Sequence, residues 1–194
     1  QRCRRAVFVS TAPGRFIAFE GGEGAGKSTQ ARLLAEALRA RGLTVVVTRE
    51  PGGTPGAEAI RALLLHPPGD TGWTAQSEAL LFAAARADHV AHMIRPALAR
   101  GDWVICDRFV DSSRAYQGGA GGLGDDAVTA LHAFGSDGLR PDRVILLDPK
   151  ETRPARRRRL VAARADHRAH PPGNQGGELP PGGALHLHVR LEEP

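Results

Sequence analysis

Lysine is almost missing from this 194-residue chain: of its 26 basic residues only Lys27 and Lys150 are lysine, and arginine supplies the rest. We read the imbalance as a habit of composition, and it makes Lys27, standing among glycines, conspicuous. Cysteine is scarce too. Cys3 lies in an arginine-rich leader and Cys106 inside an apolar run that reads as a buried strand, so a disulfide between them is not expected and a reducing compartment fits. Long apolar runs are absent. Nothing approaches the roughly 20 residues that cross a bilayer, and Gln1 to Gly14 lacks the sustained apolar stretch and cleavage pattern of a secretory signal. These absences lead us to expect a soluble, cytoplasmic protein with no membrane association. The chain opens on Gln1 and not on Met, which leaves its natural start open.

The formal net charge of +5 invites a nucleic-acid reading, but its distribution opposes one. Between Arg15 and Asp148 acidic residues slightly outnumber basic ones, and the basic excess sits in the leader and beyond Asp148. A central region with no basic excess argues against a DNA-binding face, so no nucleic-acid partner is expected. At this length, with 41% hydrophobic residues, the chain can build one α/β domain with a sizeable core and not two.

The apolar pattern supports that class. Phe16 to Phe19 forms a short buried-strand run ending at Glu20 and a glycine cluster, and helical spacing follows from Ser28 to Arg41, stopped by Gly42. Leu43 to Thr48 reads as a second buried strand, which completes a βαβ unit with a parallel crossover. A Pro/Gly loop at Pro51 to Pro55 precedes a helix over Ala57 to Leu65. One long helix is predicted from about Thr74 to Arg100, bent or broken near Pro96. Trp103 to Cys106 and Val144 to Leu147 read as further strands, with a helix from Asp125 to Phe134 between them. Strands alternating with helices predict a doubly wound, mostly parallel sheet whose ligands bind at the carboxyl ends of the strands. The expected organisation is a disordered basic leader over 1–14 and an α/β core over 15–148. The segment 149–194 is rich in Pro, Gly and Arg and expected to be disordered or aberrant, with one possible strand from Leu185 to Leu191.

Gly21-Gly22-Glu23-Gly24-Ala25-Gly26-Lys27-Ser28 matches G-x-x-x-x-G-K-[ST], between a predicted strand and a predicted helix. Glycines let main-chain N–H groups wrap phosphates at a helix N-terminus whose dipole favours anions. In such a P-loop Lys27 would reach the β and γ phosphates of ATP and Ser28 would hold Mg2+, with Thr29 completing the loop. The bland alternative is a glycine-rich turn with an exposed lysine. Asp107 and Arg108 at the tip of the third strand could organise magnesium through water and grip an acceptor phosphate. They could also simply pair with each other.

Three further blocks carry a resemblance. Thr48-Arg49-Glu50-Pro51-Gly52-Gly53-Thr54-Pro55, then Leu81-Phe82-Ala83-Ala84-Ala85-Arg86, then Asp107-Arg108-Phe109-Val110-Asp111-Ser112-Ser113-Arg114-Ala115-Tyr116-Gln117-Gly118 resemble, in order, the signature blocks of bacterial thymidylate kinases. The resemblance runs from Arg15 to Asp148 and implies a P-loop NTPase fold, ATP and thymidine monophosphate (dTMP) as substrates, Mg2+ as cofactor and a homodimer. It implies that the thymine ring stacks on Phe82 and that Arg86, four residues on and so on the same helix face, bonds the pyrimidine carbonyl. Arg108 is implied to bind the acceptor phosphate, and Glu23 to lie near the deoxyribose and phosphates. Ser112, Ser113, Tyr116 and Gln117 would line base and sugar, with Glu50 and Pro51 in the loop that closes over the nucleoside. Lys27, Arg108, Asp107 and Glu23 form the implied catalytic set. The family also places arginines on a lid after the fourth strand, especially where the P-loop carries glycine as Gly24 does, and Arg153 and Arg156 to Arg159 fall there. Phe109 stands where tyrosine or histidine is commoner in the family. Other readings stay open: another monophosphate acceptor, a nucleotide-binding relative without turnover, or nucleic-acid binding through the arginine-rich ends.

Overall fold

The structure is a computed structural model that describes residues 14–148. The leader to Pro13, the arginines from Arg153 to Arg159 and the Leu185 to Leu191 stretch lie outside the described residues. Four strands form one parallel sheet: β1 (Phe16–Gly21), β2 (Val45–Arg49), β3 (Trp103–Asp107) and β4 (Arg143–Leu147), in the order β2-β3-β1-β4. The crossover from β1 to β2 through α1 (Lys27–Ala40) therefore does not join neighbours, because β3 inserts between them. That insertion brings the ends of β1 and β3 side by side, with Phe19 in register with Asp107.

β1 is flanked on both edges, which explains its unbroken apolar run. Its alternate side chains enter two cores. Ile17 and Phe19 join Ile105 and the Ala31, Ala35 and Leu38 stripe of α1 on one face. Phe16 and Ala18 join Val104, Cys106, Val90, Ile94 and Phe109 on the other. Helices thus cover both faces, as a doubly wound sheet requires. Fully burying a side chain such as Phe16, Phe19 or Phe109 contributes about 1.5–3 kcal/mol. The second strand differs from the buried strand that the sequence predicts, and the fourth is partly exposed as well. Val47 and Leu146 are both more than a third exposed, because β2 and β4 are the outer strands among the described residues.

Helix α2 (Pro55–Leu65) starts where Thr54 Oγ1 accepts from the Ala57 N–H at 3.2 Å, with Pro55 in its first turn. Helix α3 (Ala75–His89) is capped by Thr74 in the same way and runs on through a π-helical segment, Val90–Ile94, into α4 (Arg95–Ala99). The long helix from Thr74 to Arg100 is present, but its distortion precedes Pro96. Proline lacks an N–H and its ring crowds the carbonyl four residues back, so the turn before it is the one that widens. The next element is not foreshadowed by any apolar periodicity. A short helix α5 (Val110–Ser113) passes directly into a π-helical segment, Arg114–Ala120, before α6 (Asp125–Ser136).

Candidate active site

The glycine loop leaves the end of β1 and enters α1, as its position in the sequence implies. Gly21 is obligatory there. Its φ is +134°, and a Cβ would lie 2.3 Å from the Leu147 carbonyl oxygen. No side chain caps the first turn of α1, whose N-cap Gly26 is left-handed at φ 90°. Its leading N–H groups are the kind that hold anions. Lys27 is buried and folds back along the loop, donating from Nζ to the Gly21 and Gly22 oxygens at 3.0 and 2.8 Å. Burial lowers its pKa, and the neighbouring Arg108 guanidinium adds to that. Ser28 and Thr29 are exposed, and Ser28 Oγ donates to Asp107 Oδ2 at 2.6 Å. This contact ties α1 to the tip of β3.

Asp107 and Arg108 make no ion pair with each other. Arg108 adopts φ +73°, a left-handed conformation uncommon for arginine. Its Nη1 donates to Ser112 Oγ at 3.1 Å, and its guanidinium lies 5.4 Å from the Tyr116 ring centre. The Arg108 N–H donates to Phe19 O at 2.8 Å, and the buried Cys106 Sγ donates to Arg108 O at 3.0 Å. Burial pushes the Cys106 thiol well above its ordinary range, so it serves as an inert donor and not as a nucleophile.

Beyond Arg108 opens a cleft of about 330 Å³. Glu23 from the glycine loop lines it, as do Glu50, Pro51, Phe82, Arg86, Arg108, Ser112, Ser113, Tyr116 and Gln117. Every residue that the resemblance assigns to dTMP is therefore gathered in one place, beside the glycine loop. Arg86 is buried and held on several sides. Nε donates to Glu50 Oε2 at 2.7 Å, Nη2 to Ser113 Oγ at 2.8 Å and more weakly to Phe109 O at 3.4 Å, and the guanidinium lies 5.3 Å from the Phe109 ring centre. Phe109 is itself core, edge-on to Phe16 at 4.9 Å and to His132 at 5.6 Å. A polar ring at this position would need a partner inside that apolar cluster.

Several residues at the site carried no role in the sequence reading. Glu20, buried at the end of β1, accepts from Phe109 N at 2.8 Å, Ser112 N at 3.3 Å and Ser112 Oγ at 2.6 Å. Burial raises its pKa against the lowering effect of those bonds. A charged residue closing an apolar strand run was the available signal. Glu78 accepts from Gln117 Nε2 at 2.8 Å, and Arg61 donates to Pro51 O at 2.9 Å. His89 and Thr48 lie behind Glu50. His89 follows Arg86 by three residues, a spacing that puts both on one face of α3.

A parallel sheet with a glycine loop running from its central strand into a helix, and a nucleotide-sized cleft at the neighbouring strand tip, defines a P-loop protein of the NTPase fold. A sequence profile for thymidylate kinase matches residues 19–168. A thymidylate kinase of Rhizorhabdus wittichii is 71% identical over 136 residues, 70% of this chain and 65% of that protein. One from Rhodopseudomonas palustris is 59% identical over 135 residues, 70% of this chain and 59% of its own. The crystal structure of thymidylate kinase from Ehrlichia chaffeensis superposes with a TM-score of 0.65 at 43% identity, covering 70% of this chain and 76% of that one. The chain belongs to the thymidylate kinase family, and it spans less than two thirds of the length of these two relatives.

Proposed function

We propose that the protein transfers a phosphoryl group from ATP to dTMP, giving the diphosphate used in deoxythymidine triphosphate synthesis. One observation carries this reading: the glycine loop around Lys27 and a cleft lined by the whole expected acceptor set share a wall through Asp107 and Arg108. A cleft of about 330 Å³ suits a nucleotide, since ligand sites run from roughly 300 to 1,000 Å³. Phosphoryl transfer needs little covalent work from the protein, so positioning two anions in line and neutralising their charge is the task, with no general base required.

The roles follow position by position. Gly21 to Thr29 cradle the ATP phosphates and Lys27 meets the β and γ groups. Phe82 stacks on thymine, Arg86 bonds its carbonyl and Arg108 holds the acceptor phosphate. Glu23, Ser112, Ser113 and Gln117 line sugar and base, Tyr116 disfavours a 2′-hydroxyl by occupancy, and Glu50 and Pro51 form the closing loop. Among the described residues no cluster of three or more His, Cys, Asp or Glu forms a metal site. The hydroxyl and carboxylate of Ser28 and Asp107 suit Mg2+ nonetheless, which takes one or two protein oxygens and completes its shell with phosphate and water. Bound there, the ion would neutralise phosphate charge.

A second copy of this chain is the proposed partner. α3 and α6 pack together and leave Leu80 57% and Phe134 91% exposed. Among the described residues no helix is long and apolar enough to cross a membrane, and the buried free thiol of Cys106 fits the proposed cytoplasmic setting. The test is a coupled turnover assay with dTMP and the other monophosphates, using Lys27→Ala as control. Preference for dTMP is expected; equal rates with dCMP would reject the acceptor assignment.

A further inference from the structure

Behind Arg86 and Glu50 lie two buried polar residues, His89 and Thr48, that the proposed reaction does not itself call on. His89 is wholly buried in α3, at 0% exposure, yet both ring nitrogens meet polar atoms. Nδ1 is 3.1 Å from Glu50 Oε1, and Nε2 is 2.8 Å from Thr48 Oγ1. The other oxygen of Glu50 accepts from Arg86 Nε at 2.7 Å. A carboxylate facing a guanidinium is an acceptor, so the proton between imidazole and carboxylate sits on Nδ1. Thr48 can then turn its hydroxyl toward Nε2. Donation thus runs from Thr48 through His89 to Glu50, where it meets the opposing donation from Arg86, whose guanidinium lines the cleft.

Two further features narrow its freedom. The Nη2 bond to Ser113 and the Phe109 ring fix the guanidinium from the far side, and Nη1 alone of its nitrogens carries none of these bonds. The loop after Glu50 also rests on the histidine. A Cβ on Gly53, whose φ is +94°, would stand 2.6 Å from His89 Nε2 and 2.5 Å from Thr48 Oγ1. The Gly53 backbone, the imidazole and the Thr48 hydroxyl are thus closely packed, and Glu50 is tied to that group through His89.

We propose that His89 is a positioning residue for base selection: it fixes Glu50 so that Arg86 presents an N–H edge to a pyrimidine carbonyl, which favours thymine over cytosine. Cytosine carries an amino group where thymine carries that carbonyl, so a rigid donor meets a second donor. This rests on the proposed use of Arg86. A histidine that served packing alone would affect both bases alike.

The test uses the full chain with His89→Gln and His89→Asn, measuring kcat and KM for dTMP and dCMP. Asparagine can place its amide N–H near Nδ1 and keep the donor to Glu50, whereas glutamine reaches toward Thr48 and loses it. His89→Gln is expected to lower kcat/KM for dTMP about tenfold or more, mainly through KM, as loss of a charge-assisted hydrogen bond does. Turnover of dCMP should be nearly unchanged, so the ratio narrows, and His89→Asn should restore most of it. Equal losses for both substrates, or an unchanged ratio in His89→Gln, would overturn the assignment. Should the glutamine variant not fold, 15N imidazole shifts of the parent decide: protonation at Nδ1 supports the role, and protonation at Nε2 alone removes it. A parent with no preference for dTMP overturns both this inference and the functional reading beneath it. A parent that prefers dTMP while its ratio ignores His89 overturns the inference only.

Discussion

Replacing Glu20 with alanine tests whether the floor of the cleft is built as described. The carboxylate accepts at 2.8 Å from Phe109 N and at 2.6 Å from Ser112 Oγ, with a longer third bond of 3.3 Å from Ser112 N. Hydrogen bonds to a charged group contribute about 1.5–3 kcal/mol each, and a buried N–H left without an acceptor costs about 1–3 kcal/mol. The two strong bonds alone sum to roughly 3–6 kcal/mol on those figures, and the weak one adds little. The burial that raises the Glu20 pKa offsets part of this, so a loss of about 3 kcal/mol is expected for Glu20→Ala. Glu20→Gln keeps one acceptor oxygen without a buried charge and should lose only about 1 kcal/mol. Urea unfolding followed by circular dichroism reads both values from shifted midpoints at constant slope. A site readout accompanies them. Ser112 Oγ links Glu20 to Arg108 Nη1, so KM for dTMP should rise in Glu20→Ala more than kcat falls. A Glu20→Ala midpoint equivalent to less than about 0.5 kcal/mol of change would refute the reasoning, because no buried carboxylate with such partners can be removed silently.

Other outcomes follow from single contacts. Lys27→Ala should cut ATP-dependent turnover by about a hundredfold or more, the scale of losing one preorganised charge partner, with its melting temperature little altered; near-normal turnover would remove the P-loop assignment. Asp88, which accepts a hydrogen bond from Thr54 Oγ1, has a lowered pKa owing first to that bond. Its stabilising effect is therefore complete above the unfolded value and lost as pH falls through the lower folded value. Melting curves of parent and Asp88→Asn should converge as the medium is acidified below about pH 4, and parallel curves would count against the contact. Gly53→Ala forces a Cβ against Thr48 and His89 at φ +94° and should cost about 1–3 kcal/mol by thermal melting. Phe134→Ser, at a site 91% exposed, should leave the unfolding free energy of the monomer within about 0.5 kcal/mol but shift sedimentation equilibrium toward single chains.

The elements most legible in the sequence are those that local rules determine. The glycine loop, the Thr74 helix start and the apolar run of β1 each follow from a few adjacent residues and appear where their patterns place them, whereas α2 begins at Pro55, ahead of the predicted Ala57. Exposure of β2 and β4 was not legible, since Leu43 to Thr48 and Val144 to Leu147 read alike whether a strand is central or outer. The helix over Val110–Ser113 was hidden for another reason. It spans four residues, shorter than any periodicity can reveal, and its first turn is held by Glu20 from 89 positions away. At the site, residues with an outward chemical role stood in recognisable blocks. Glu20, Thr48 and His89 act through other side chains, and only the fold brings their partners together.

The left-handed turn at Arg108 has one more consequence. Asp107 reaches back to Ser28 while its successor faces the cleft, so in the proposed reaction neighbouring residues serve the two substrates. Consecutive Cα atoms across a trans peptide stand about 3.8 Å apart. One peptide unit therefore sets the spacing of the two backbone anchor points, and an inserted residue at this spot would lengthen it.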